Sequence, residues 1–575
     1  MRNNILTFMT LLLLFSCSDE NNDTDETFEN TQSVTNPVPN NGMIDVLLNG
    51  SLSFYSGANT PSKVNYKLYF GTDVNYLTQY NLGNELLYNY NNLQPNTNYY
   101  WKIETVSNTG NILATSDVWN FTTKKTIKIF EGSIVLASQS EVDAFDDVTI
   151  DYTEITGNVI IGTTSPHSTN ITNLSALKNL NKIGGNLTIH DNNKSLKSIE
   201  SLSNITSVGG SLSFSPASNQ INSLNGFRNL TSIGGSLNIY YNDGLTSLNG
   251  LEKLTSIGGR LHINNNDNLV SLSGLDNLSS KINGDLIISN NEKLLSLNGL
   301  SKINFIDGNL QISNNNDLES INALGNLNTV NGFIEIFSND NLTSLVGLES
   351  LTLVKEYLRI FSNNLTSLNG LDNITSIGGY LQIWWNKNLT TLNGLNKLVN
   401  IEGYLSIHNN DKLESLGGLE NLVSIGGGLF IGNTSSSDYS SVATGDNLKN
   451  INGLEKLTNI GGNLEISNNT DLTSIIGLNN LQSIEGDLIL FSNYNLTSLN
   501  GFEKISSLNG KLYIGFDPEK TYLVSYGNIK LTNFCSIKQL ISTSEISESD
   551  YFVKNNAYNP TYENITNDEN GGCRE

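Results

Sequence analysis

The chain has 575 residues, with 31 Lys and Arg against 55 Asp and Glu, a formal net charge of −24. The length exceeds one ordinary domain, and the acidic balance excludes nucleic acid as a partner, because phosphate binding needs clustered Lys and Arg. Charged residues make up 15% and hydrophobic residues 37%, with 50 Gly against 8 Pro, which excludes a charge-driven disordered chain and a Pro-rich linker; three Cys and four His leave little for a metal site, and no cofactor is expected.

Residues 1–16 read as a secretory signal: Arg2 supplies the positive start, and Ile5 to Phe15 form an apolar run too short to span a bilayer. The run ends in Leu14-Phe15-Ser16-Cys17, which resembles a bacterial lipobox. The resemblance implies that Cys17 is acylated and becomes the first mature residue, tethering the chain to a membrane; each buried CH2 contributes about 0.8 kcal/mol. Residues 17–33 form an acidic linker with Asp19, Glu20, Asp23, Asp25, Glu26 and Glu29. Such a tract resembles a surface-export signal of some Gram-negative lipoproteins, implying an outer-membrane protein exposed at the cell surface; a spacer on the periplasmic leaflet is the alternative.

In residues 34–124, strand-like runs at Ser51–Phe54, Val64–Phe70, Tyr99–Val106 and Val118–Thr122 alternate with turn residues such as Pro39-Asn40-Asn41-Gly42 and Pro95-Asn96. The segment Leu93-Gln94-Pro95-Asn96-Thr97-Asn98-Tyr99-Tyr100-Trp101 and the closing Trp119-Asn120-Phe121-Thr122-Thr123 resemble a fibronectin type III domain. The resemblance implies a β-sandwich that spaces or binds, with both Trp in its core.

From residue 155 to 515 one unit repeats. Its leading apolar residue recurs at Val159, Leu187, Leu212, Leu237, Leu261, Leu286, Leu310, Ile334, Leu358, Leu381, Leu405, Leu429, Leu464, Leu488 and Leu512, fifteen copies at intervals mostly of 24 residues. A fixed period of this size means a solenoid. Ile257, Gly259, Leu261 and Ile263 alternate with Gly258, Arg260, His262 and Asn264, which places the first set inside and the second outside on one strand. Stacked strands about 4.8 Å apart make a rod roughly 70 Å long. An Asn follows the strand at Asn192, Asn242, Asn266, Asn291, Asn315, Asn339, Asn363, Asn386, Asn410, Asn469 and Asn493 and reads as a stacked ladder serving backbone groups at the bend.

The pattern Leu-x-Ile-x-x-Asn-x-x-Leu-x-Ser-Leu-x-Gly-Leu-x-x-Leu-x-Ser-Ile-x-Gly resembles the receptor L-domain branch of leucine-rich repeats. The resemblance implies right-handed parallel β-helical coils and binding rather than catalysis. The fold expected is therefore all-β: a solenoid of about fifteen coils spanning 126–515, preceded by the sandwich and followed by a cap at 516–575. Ser138-Gln139-Ser140-Glu141 is a capping-box pattern that suggests a short helix over the first coil. Cys535 and Cys573 remain once Cys17 is lipidated; in an oxidising compartment they form a disulfide in the C-terminal cap, the alternative being two free thiols.

Outward strand positions are mostly Asn, Ser, Asp and Thr, but four consecutive copies depart from this. Phe333, Tyr357, Tyr380 and Tyr404 precede the leading residue, Phe337, Phe361, Trp384 and His408 stand three after it, and Glu335, Arg359, Gln382 and Ser406 lie between. All twelve share one face, about 13 Å along the strand and about 15 Å across, and exposed aromatic surface of that kind marks an interaction site. Two alternatives stand beside it: a stabilising ladder of stacked rings, or a surface covered by the insertion 433–446. Glu356 takes the place of an inward Gly, either bulging the strand beside Arg359 or marking a local irregularity. There is no HExxH, GxSxG or phosphate loop; His167, His190, His262 and His408 lack metal spacing, and Asp285, Asp307 and Asp487 read as solvated turn residues. The functional expectation is a lipid-anchored, non-enzymatic surface protein that binds a protein partner or adheres through its solenoid. Glycan capture on the aromatic face is the second reading, and a structural envelope rod the third.

Overall fold

The computed structural model describes residues 30–146, 150–163, 169–190, 195–215, 221–432, 447–516, 527–543, 546–567 and 572–574. The leader 1–16, Cys17, most of the acidic linker, His167, Asn192 and the insertion 433–446 lie outside the described residues. The chain divides into two compact units at Thr126, with Ile150 grouped with the first.

The first unit consists of β1 (Thr35–Val38), β2 (Met43–Val46), β3 (Gly50–Tyr55), β4 (Val64–Gly71), β5 (Thr78–Gly83), β6 (Leu87–Tyr90), β7 (Asn98–Ser107), β8 (Ile112–Thr115) and β9 (Trp119–Thr123). One sheet has the order β1-β3-β6; the other runs β2-β9-β7-β4-β5, with β8 paired to β7. Alternation decides the core: Val64, Tyr66, Leu68 and Phe70 of β4 are buried, while Asn65, Lys67 and Tyr69 between them are not. Trp101 is fully buried and meets Trp119 edge-on at 4.7 Å, so both indoles are core side chains. The Tyr99 hydroxyl accepts from the Gln94 backbone N–H at 3.0 Å and fixes the bend before β7. The sequence runs anticipate β3, β4, β7 and β9; the other five strands are short and mostly exposed, so they lack the alternation that marks a buried face.

The second unit is a parallel solenoid. Its long sheet has 17 strands, from Ile134–Leu136 to Tyr551–Val553, and the leading residues align coil upon coil, as Leu237 with Leu261 and Leu261 with Leu286. We number the coils 1 to 15 by those leading residues, Val159 to Leu512. The alternation holds, because Ile257, Leu261 and Ile263 are buried, but the single strand does not. Ser256–Ile257 and Leu261–Asn264 belong to two different sheets with Gly258-Gly259 at the corner between them. A Cβ on Gly258 would stand 2.0 Å from the Gly234 carbonyl oxygen of the coil beneath, so close stacking is what demands glycine there.

Leu269, Leu272, Leu275 and Leu278 point inward in the remaining arc, part of one hydrophobic core that runs continuously from Ile134 to Cys573. After the long strand, coils 4 to 11, 13 and 14 turn through a residue in the left-handed region, then an Asn. Asn266 is fully buried; its Oδ1 accepts from the backbone N–H of Asn242 at 3.1 Å and from that residue's Nδ2 at 3.2 Å. Its own Nδ2 donates to the carbonyls of Ile239 and Asn264, both at 3.1 Å. The ladder continues past the last expected member through Asn528 and Asn556.

The ends depart from the expectation in one respect. Helix α1 (Gln139–Ala144) covers the first coil, with Ser138 Oγ accepting from the Glu141 N–H and Val142 buried in the core. At the other end the repeat does not stop at Leu512: Tyr551–Val553 pairs in register with Leu512–Ile514 inside the segment read as a cap. Helices α2 (Lys538–Thr543) and α3 (Tyr562–Asn567) close it, and Cys535 is bonded to Cys573. Glu356 is exposed, not inward, and Ile334–Phe337 pairs with Leu358–Phe361 without a register shift, so there is no bulge beside Arg359. The irregularity lies in the neighbouring sheet of short strands, which stops at Thr329–Val330 and restarts at Leu353–Val354.

Candidate functional site

The outer face of the long sheet has a default chemistry that explains what the aromatic coils give up. At the position before the leading residue, a side-chain oxygen of one coil accepts the backbone N–H of the same position in the next. Asp285 Oδ1 accepts from Asn309 at 2.8 Å, Asn309 Oδ1 from Phe333 at 3.0 Å, and Asp487 Oδ1 from Lys511 at 2.8 Å. Asp285 and Asp487 are therefore backbone caps, a correction to their reading as merely solvated, and Asp307 pairs with Lys281 at 3.1 Å. Phe333 receives such a bond but has no oxygen to pass on, and the tyrosines at 357, 380 and 404 carry theirs at the far end of a ring. Coils 8 to 11 exchange a hydrogen-bonded rail for aromatic surface.

The twelve residues do share one face, and the rings form two columns along the coil axis. In the first, Phe333, Tyr357, Tyr380 and Tyr404 stack with centroids 4.5–4.6 Å apart and planes within 8°. In the second, Phe337 to Phe361 is 4.5 Å, Phe361 to Trp384 is 4.2 Å, and Trp384 to His408 is 5.7 Å, again within 8° of parallel. Each ring covers its neighbour's face, so the columns present ring edges; the side chains are half-buried except Trp384, which is buried.

Between the columns lies a polar floor. Arg359 Nη1 donates to Glu335 Oε1 at 2.9 Å, and its guanidinium sits 5.1 Å from the Trp384 ring centroid and within 6 Å of those of Tyr357 and Phe361. Its Nε is buried with no hydrogen-bond partner. Gln382 is half-buried and Ser406 is buried further along. Burial pushes the His408 imidazole down to about 4 and the Tyr404 phenol up to about 12, so both are neutral near pH 7. Phe430 of coil 12 meets Tyr404 edge-on at 6.0 Å and ends the trough on that side.

Two further clusters on the same face escaped the sequence reading. Tyr240 Oη bonds His262 Nδ1 and Asn238 Oδ1, both at 2.9 Å, with Arg260 Nε donating to Asn238 Oδ1 at 3.2 Å. Near the C-terminal end Tyr513 stacks on Phe552 at 5.0 Å, and Lys554 lies 3.8 Å from the centroid of Phe516. Tracking the same three outward positions through every coil would have found Tyr240, Arg260 and His262. Among the described residues no group of three or more His, Cys, Asp or Glu is placed to hold a metal ion, and no helix is long and apolar enough to cross a membrane.

What the arrangement offers chemically is docking: aromatic edges, one buttressed guanidinium and amide groups on a rigid sheet, with no nucleophile held by a base. No curated protein matches this sequence. The family model of the Receptor L domain matches residues 204–304, so the stretch holding the leading residues of coils 3 to 6 is similar to a domain that binds ligands and runs no reaction.

Proposed function

We propose that this protein is a non-catalytic binding protein, held by a lipid on Cys17 at the outer membrane and displayed at the cell surface, that recognises a protein partner through the outer face of its solenoid. The observation that carries the reading is the pair of aromatic columns at coils 8 to 11 flanking Arg359, eight rings in two parallel stacks on one sheet face. Aromatic residues and Arg are the side chains that dominate protein–protein hot spots. The fibronectin-like unit serves as a spacer between anchor and solenoid. Glycan capture on the columns has less support, because a sugar packs its C–H face on an open ring face and here the faces are occupied by neighbouring rings.

Cross-linking on intact cells, followed by identification of the captured protein, tests the reading. The double variant Tyr380→Ala with Trp384→Ala is expected to lose the captured partner at least tenfold while remaining folded by circular dichroism; equal capture would reject the face as the site. Cys17→Ser is expected to move the protein out of the membrane fraction. Protease added to intact cells is expected to degrade the unaltered protein, and its survival would place it on the inner leaflet.

A further inference from the structure

A second feature lies round the corner from the Trp384 column and is independent of that reading. Leu358 and Leu381 are 23 residues apart, whereas the flanking intervals, Ile334 to Leu358 and Leu381 to Leu405, are 24. The missing residue can be located. Coil 8 reads Asn339-Asp340-Asn341-Leu342 and coil 10 reads Asn386-Lys387-Asn388-Leu389, but coil 9 reads Asn363-Asn364-Leu365. Asn339, Asn363 and Asn386 stack in the ladder, and Leu342, Leu365 and Leu389 are all buried, so the backbone of coil 9 cuts the corner between two fixed points. The result is a notch of about 640 Å³ lined by Asp340, Ser362, Asn363, Asn364, Trp385, Lys387 and Asn388.

The lining is unlike the rest of this edge. Lysines on neighbouring coils are spent on amides, as Lys293 on Asn268 and Lys412 on Asn388. Asp340 and Lys387, on opposite sides of the notch, are exposed and have no side-chain partner among the described residues. The corner residue is also anomalous. Asn or Ser holds the left-handed position in most coils; the bulky exceptions are Tyr241 in coil 4 at φ 57° and, beside the notch, Trp385 in coil 10 at φ 55°. A bulky side chain in that region is strained, and strain of this kind concentrates at functional sites.

We propose that the notch is a binding site for a neutral sugar, one to three pyranose units of a glycan chain. The Asp340 carboxylate, the Lys387 ammonium, the Ser362 hydroxyl and the Asn364 amide N–H groups supply donors and acceptors spread over the walls, which matches vicinal hydroxyls that each donate and accept; Asn388 instead braces the wall, donating to Asn364 Oδ1 and accepting from Lys412. Asp340 and Lys387 cancel in formal charge, so the lining selects neither anion nor cation. A single Lys with no Arg disfavours phosphate-bearing ligands. Trp385 contributes the one large apolar surface, and the volume lies within the usual range of small-ligand sites.

The test is a glycan array probed with the full chain, then calorimetric titration with the strongest-binding trisaccharide. Trp385→Ala and Asp340→Ala are each expected to weaken binding at least tenfold. Inserting one Asn between Asn364 and Leu365 restores the 24-residue coil, which its neighbours show to be foldable, and is expected to abolish binding with an unchanged melting curve. Tyr380→Ala, on the aromatic trough, is expected to leave sugar affinity unchanged. No bound glycan on the array, binding that survives the insertion, or binding lost through Tyr380→Ala alone would each overturn the proposal.

Discussion

A ladder Asn does several jobs at once: it accepts from the backbone and side chain of the Asn before it and donates to a backbone carbonyl and to the Asn after it. Asn315 is fully buried, with Oδ1 accepting from Asn291 N and Nδ2, both at 3.1 Å, and Nδ2 donating to the Ile288 carbonyl at 2.9 Å. Each buried polar group left unpaired costs about 1–3 kcal/mol. Asn315→Ala is expected to cost about 3 kcal/mol locally, seen as roughly 100-fold faster amide hydrogen exchange in coils 6 to 8 and little change in coils 13 to 15. Asn316→Ala, on an exposed neighbour, is the control. This ladder was legible because the same residue returns once per coil. The left-handed corner just before it was not, because Asn, Ser, Tyr and Trp all occupy it and only the backbone dihedral reveals what they share.

A column of rings is an element in its own right, and its last member is a histidine. His408 stacks on Trp384, and burial lowers its imidazole to about 4, against about 6.5 in an unfolded chain. The unfolded state therefore binds the proton first as pH falls. The contribution of His408 is complete above about pH 6.5 and declines as pH drops towards 4, by about 2–3 kcal/mol at pH 4.5. The melting temperature is expected to fall less between pH 7 and 4.5 in His408→Asn than in the parent chain; identical slopes would show that His408 is not buried in solution. The twelve residues of this face could be read from the sequence, because period two in a repeated frame assigns every outward position. Their stacking could not, since a list of positions does not say whether rings lie flat on the sheet or turn edge-out. The 4.5 Å between centroids follows from strand spacing once they turn.

Across the whole molecule, the count of coils and the inward leucines were plain from the period, while the second sheet and the final turn were hidden. Beyond Ile150–Ile155 the strands beside the long sheet are only two residues long, such as Ser256–Ile257, and carry no periodicity of their own. The final turn is separated from Leu512 by 39 residues, so its leading Tyr551 falls out of the count. That turn is secured by the Cys535–Cys573 bond, which spans a sequence separation of 38. Closing a loop of that size stabilises by about 4 kcal/mol in the chain-entropy view. Reduction is expected to open the C-terminal end first: limited proteolysis should cut within 538–567 before any site in coils 4 to 11, and simultaneous cutting throughout would contradict a local role.

Because each coil of the solenoid touches only the one before and the one after, whole periods are interchangeable parts. Recombination between neighbouring repeats could add or remove a turn anywhere outside coils 8 to 11 and reproduce the same Leu-on-Leu and Asn-on-Asn junctions. Reach and recognition are thereby uncoupled: the distance the solenoid extends can drift across generations, while the eight rings and the guanidinium among them travel as one indivisible block.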